Sequence, residues 1–262
     1  MQEVAAGSEL LGFAIGKLRY GSHYLDADTK ACKAAGFIVQ WIARVEITTV
    51  SILSTLRYLI VCHKKEKSLR FWLIILALSL VPCTFIYIYG AAKKDSTPTV
   101  SYLHCQPYSL PSKLSSVMTI VIPFLYLIPC WVVTYCYFAI GVTANKHLNT
   151  LKREAHTNGD EHLLKIITQQ KFKMVIQLLL VFVIYNVNFM LSYITFILKY
   201  AIGYKRPPII DALVFVMVHG TVAINPIITI TFQPDVNNEF VMILVRFQAR
   251  FKKRIRNLFY NR

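Results

Sequence analysis

The chain has 262 residues, 55% of them hydrophobic and only 16% charged, with a mean hydropathy of +0.48. That balance excludes an ordinary soluble domain, in which about a quarter of the residues are charged. The formal net charge of +16 would suit nucleic acid, but the basic residues cluster between long apolar runs, so they report membrane orientation and no nucleic-acid partner is inferred.

The first element, "VAAGSELLGFAIGKL", is helix-like but short and holds Glu9 and Lys17, so it reads as a partial helix. No signal-peptide pattern precedes it. Apolar segments then run from Phe37 to Cys62, Phe71 to Tyr89, Val117 to Val142, Met174 to Leu198 and Ile209 to Phe232. Each approaches the roughly 20 residues that a bilayer core of about 30 Å requires of a spanning helix. The predicted fold is therefore an all-α membrane bundle of six helices, counting the partial first one.

Seventeen of the 29 lysines and arginines fall in three polar segments, at residues 64–70, 143–173 and from 246 onward. The positive-inside rule places all three on the cytoplasmic side. Alternate crossing agrees, leaving Gly90 to Lys113 and Lys199 to Pro208 outside. No internal repeat is visible, which weighs against transporter folds built from inverted halves.

Beyond the last span, Phe240, Ile243, Leu244, Phe247, Phe251, Ile255 and Leu258 recur at helical spacing with arginines and lysines between them. This predicts an amphipathic helix on the inner leaflet, with anionic membrane lipids as partners. A solvated basic tail is the alternative. The domain division is thus a membrane bundle over 1–232 and a basic surface segment over 233–262.

Four of the six cysteines, Cys62, Cys83, Cys130 and Cys136, lie in or beside spans and read as small buried hydrophobes. Cys32 and Cys105 stand at the outer start of the second helix and in the outer loop. Both face an oxidising compartment, and they are expected to pair.

A cysteine that opens a helix, the pair Arg57 and Tyr58 near that helix's inner end, and a second cysteine in the next outer loop resemble a rhodopsin-like G-protein-coupled receptor. Further landmarks follow in the family's order: Trp72 with Pro82, Pro129 with Tyr137, Phe182, and Asn225 with Pro226 in "NPIIT". The resemblance covers nearly the whole chain. It implies a seven-helix receptor fold lacking the first helix and the start of the second, as in a fragment or a natural short form. It also implies a multi-pass plasma-membrane receptor that transmits an extracellular ligand signal to a heterotrimeric G protein, without a cofactor.

Residue by residue, the resemblance implies that Arg57 and Tyr58 face the G protein and that Tyr137, Asn225 and Pro226 take part in switching. It implies a ligand pocket among Val39, Gln40, Tyr126, Asn186, Phe189 and His219. Val39 stands where amine receptors carry an aspartate, and no lysine occurs from Asp211 to Phe232, which excludes a retinal Schiff base on that segment. Asn186 and Asn188 replace the family's tryptophan and proline in the sixth helix, so interhelical hydrogen bonding competes with ligand binding as their role. Without that proline no cause for a kink is evident.

Two restraints of the family also differ. Leu56 precedes Arg57 where a carboxylate is usual, and Thr168 stands where some members offer a glutamate. Glu46, eleven residues before Arg57, shares its helix face to within about 20° and is expected to look into the bundle. An ion site with Glu9 is one reading of it. Arg44 points away from that face.

No phosphate loop, zinc helix or nucleophile elbow occurs, and no metal-spaced histidine cluster, so no enzyme activity is expected. Two other readings stay open. One is a glucose-sensing or cyclic-AMP-type receptor. The other is a small ion-coupled secondary transporter using Glu46 and Arg44 as coupling charges.

Overall fold

The computed structural model describes residues 2–26, 29–108, 112–232 and 234–260. Its helices in chain order are α1 (Gln2–Tyr20), α2 (Lys30–His63), α3 (Leu69–Ala92), α4 (Lys113–Thr157), α5 (Glu161–Phe182), α6 (Asn188–Ile202), α7 (Pro208–Phe232) and α8 (Pro234–Tyr260). A π-helical segment, Val183–Val187, joins α5 to α6, and two short strands, β1 (Ser96–Pro98) and β2 (Cys105–Pro107), lie between α3 and α4.

Local chemistry sets the starts of the long helices. Thr29, Ser68, Ser112 and Asp160 each accept the backbone N–H three residues on, at Cys32, Phe71, Ser115 and Leu163. Each bond satisfies one of the donors that a helix N-terminus leaves open. At the other end of α2, Lys64 adopts a left-handed conformation, φ 52°; its N–H returns to the Ile60 carbonyl and that of Lys65 to the Leu59 carbonyl.

Among the described residues, four helical stretches are long and apolar enough to cross a membrane: Lys30–His63, Leu69–Ala92, Lys113–Thr157 and Glu161–Lys199. In α7 the described apolar stretch, Pro208–Thr221, is shorter than a crossing. The side chains are arranged as lipid demands. Along α3, Ile74, Leu78, Val81 and Phe85 form one exposed stripe at helical spacing, while Trp72, Cys83 and Tyr87 on another side are buried. Along α4 the exposed stripe runs through Phe124, Ile128, Trp131, Tyr135 and Phe138, with Tyr126, Cys130 and Val133 buried. A soluble protein does not present aromatic and aliphatic stripes of this length to water; the architecture is that of an all-α membrane protein.

The polar stretch over 143–173 is not the long loop that its charge suggested. Helix α4 continues to Thr157 and α5 starts at Glu161, so the two meet in a short turn where Gly159 takes φ 69°. Helix α4, with 45 residues, is about 68 Å long and outruns the bilayer core. Its Lys146 to Thr157 end is rich in good helix formers, which explains why charge did not break the helix.

The chain divides into two compact units, Met1–Val222 and Ala223–Arg262. In the first, α2 is central and packs on α1, α3 and α4, while α4 also packs on α5. In the second, α8 is a 27-residue helix from Pro234 to Tyr260 that exposes Phe247 and Phe251, with ring centroids 6.2 Å apart.

Candidate functional site

The segment between α3 and α4 is folded into an antiparallel pair in which Ser96 faces Pro107, Thr97 faces Gln106 and Pro98 faces Cys105. Cys32 and Cys105 form a disulfide with their Cα atoms 5.5 Å apart, so the hairpin is bonded to the head of α2. Both cysteines are fully buried, packed with Leu25. Gly36 makes the approach possible: a Cβ there would stand 3.1 Å from Ser96 Cβ and 3.3 Å from the Cys105 carbonyl oxygen. Tyr108 donates its hydroxyl to the Ile86 carbonyl of α3, Ser115 of α4 donates to the Asp95 carboxylate, and Ser101 donates to Asp211 Oδ2 of α7 at 2.6 Å. One hairpin is thereby tied to four helices.

Against this hairpin lies a cavity of about 610 Å³, within the size range of small-molecule sites. Gln40, Tyr126, Phe189 and His219, expected in a ligand pocket, all line it. Val39 is buried beside them without lining it. Asn186 is elsewhere, donating to Thr134 Oγ1 at 2.9 Å, and Asn188 donates to Thr221 Oγ1 at 3.3 Å. Both asparagines therefore serve interhelical hydrogen bonds.

Other lining residues, His104, Thr195, Arg206 and Phe215 among them, carried no sequence signal. Tyr126 and Phe189 meet with centroids 4.5 Å apart, and Phe215 stacks with His104 at 5.1 Å and His219 at 4.0 Å. Arg206 bonds Asp211 at 3.2 Å and Thr195 at 2.7 Å, closing the α6 to α7 turn onto the site. Arg44 also lines the cavity, its guanidinium 4.5 Å from the Tyr126 ring centre. Burial pushes the His104 imidazole down to about 4, against the pull of Asp211, so it is neutral at physiological pH.

Arg57 lies near the opposite end of α2. Its Nη1 donates to the Tyr137 hydroxyl of α4 at 2.9 Å, which brings two of the expected switch residues into direct contact. Tyr58 shares a 3.0 Å hydrogen bond with His63 Nε2 and packs edge-on against Tyr135. Between the two ends Glu46 is buried. The side chains of Glu9, Asn225 and Pro226 lie outside the described residues.

The π-helical segment Val183–Val187 contains Asn186. A π turn inserts one residue into the helical ladder, and it is one of the recognised causes of a change in helix course. The sixth-helix region thus carries a structural irregularity without proline.

No family model matches the sequence, and neither does any curated protein.

Proposed function

We propose that the chain is a multi-pass cell-surface receptor of the rhodopsin-like kind, in which a ligand in the outer cavity shifts the balance between helix arrangements and opens the inner end to a heterotrimeric G protein. The observation that carries this reading is the layout of α2. Its outer end is bonded to a hairpin beside a cavity through Cys32, and its inner end presents Arg57 held by Tyr137 of α4. One rigid helix therefore connects a ligand-sized space with a half-buried cationic side chain. An intramembrane arginine is by default a functional group.

The test is guanine-nucleotide exchange on a co-expressed panel of G proteins. Arg57→Ala is expected to abolish exchange while leaving membrane expression intact; exchange that survives the substitution rejects the reading. A second prediction concerns basal activity. Arg57 is preceded by Leu56, so it lacks an adjacent carboxylate restraint. Leu56→Asp supplies one, and an ion pair worth about 1 kcal/mol lowers basal exchange about fivefold. Unchanged basal exchange counts against a weakened resting lock.

Buried Glu46, mid-way along α2, favours one competing reading, an ion-coupled transporter. Solute uptake into vesicles that disappears in Glu46→Gln, with no nucleotide exchange, would replace the receptor proposal.

A further inference from the structure

The cavity carries a charge pattern that specifies the chemistry of its occupant. Four cationic side chains line it, Arg44, Lys199, Lys205 and Arg206, against one carboxylate, Asp211. That carboxylate is already engaged by Arg206 and Ser101. Three positive charges remain without a carboxylate partner in the cavity wall.

Arg44 is the telling one. It is only 9% exposed, and its Nε has no hydrogen-bond partner among the described residues. Its guanidinium rests on the Tyr126 ring. Glu46, two residues on, sits about 200° around the helix and does not line the cavity. A guanidinium taken out of bulk water with part of its hydrogen-bonding capacity unmet is disfavoured. Retaining one in a membrane helix, facing a cavity, is the arrangement expected where an anion completes the site.

Two further polar atoms in the same wall are buried without hydrogen-bond partners among the described residues, His104 Nδ1 and His219 Nε2. Aromatic rings form part of the surface, Tyr126 against Phe189 and Phe215 against His104 and His219, with aliphatic side chains such as Ile122, Val214 and Val218 beside them. Such a wall binds an apolar body and leaves a few fixed polar groups to orient it.

We propose that the cavity binds an anionic amphiphile, a carboxylate or phosphate ester whose oxyanion pairs with Arg44 and whose flat apolar body lies against Tyr126, Phe189 and Phe215. Lys199 and Lys205, both exposed, raise the local concentration of such anions. The inference rests on the cavity alone. It holds for a signalling ligand and for a transported solute alike.

The test uses the full chain in neutral phosphatidylcholine nanodiscs, with naphthyl fluorescence as the readout and no G protein present. The probes share one ring system: 2-naphthylacetate, 2-naphthyl phosphate and the uncharged 2-naphthylacetamide. At least one of the two anions is expected to bind at least about tenfold more tightly than the amide, because a charge-assisted hydrogen bond is roughly twice as strong as a neutral one. The tighter of the two anions identifies the headgroup class. Arg44→Gln is expected to erase the preference, and Arg44→Lys to restore part of it, since the charge returns without the planar fork.

Loss of folding is separated from this result by the ligand-free unfolding temperature of Arg44→Gln, which should stay close to that of the parent; a collapse in that midpoint moves the test to Arg44→Lys, which keeps the charge. Equal binding of amide and both anions overturns the proposal. So does an anion preference that survives Arg44→Gln, or the absence of binding by either anion below about 1 mM. Failure of nucleotide exchange would reject the receptor reading and leave anion binding standing.

Discussion

Replacing Cys32 and Cys105 together by serine is expected to destabilise the first unit by about 4 kcal/mol, the loop-closure value for the 73-residue separation that the bridge spans. The effect should exceed that of any single hydrogen bond in the outer region, each worth about 1 kcal/mol. It should also be local in its consequences. The hairpin keeps its links to α3, α4 and α7 through Tyr108, Ser115 and Ser101, but loses its bond to α2. The cavity wall contributed by Pro98, Thr99 and His104 then loses its covalent tether. Two measurements check this: the midpoint of thermal unfolding in detergent, and proteolysis of the 96–107 segment. A double-serine protein with an unchanged midpoint and an equally resistant hairpin would show that the noncovalent ties suffice.

The disulfide was legible because topology alone separates Cys32 and Cys105 from the other four cysteines, which lie in or beside the spans. Four of the spans were legible for a similar reason, since length and apolar content are what a bilayer selects. Arg44 was not. Its offset from Arg57 along α2 points it away from a single interior side. In the structure α2 packs on α1, α3 and α4, and Arg44 and Glu46 are both buried. The hairpin gave no signal because strands of three residues, each containing a proline, carry no alternation to read. The polar stretch over 143–173 is helical on both sides of its turn because lysine, glutamate and leucine are strong helix formers even in water, so high charge does not signal a loop. The π turn at Val183–Val187 arises without glycine or proline, the residues by which a sequence usually announces an irregular helix. The burial of Arg44 and the π turn depend on what surrounds a segment, whereas a pattern along one helix reports only its own periodicity.

The second large effect concerns acid. His104 sits in the hairpin beyond the membrane spans, stacked on Phe215, with Nδ1 lacking a hydrogen-bond partner among the described residues. Desolvation dominates its titration and lowers it to about 4; Asp211 opposes this, and His219, Arg206 and Lys17 reinforce it. In the unfolded chain a histidine takes up its proton near pH 6.5. Between those values the unfolded state binds more protons than the folded one, so stability rises with pH across the window. The contribution is complete above about pH 6.5 and disappears progressively as the solution is acidified toward 4. A separation of about 2.5 units corresponds to about 3 kcal/mol in total, with about 2 kcal/mol already gone at pH 5. His104→Phe keeps an aromatic ring against Phe215 and removes the titrating group. The difference in unfolding midpoint between the variant and the parent should therefore be larger at pH 5 than at pH 7, with the variant favoured in acid. Parallel pH dependences for the two proteins would mean that His104 is solvated in the folded state, and the hairpin would then have to sit more openly over the cavity than its contacts with α7 allow.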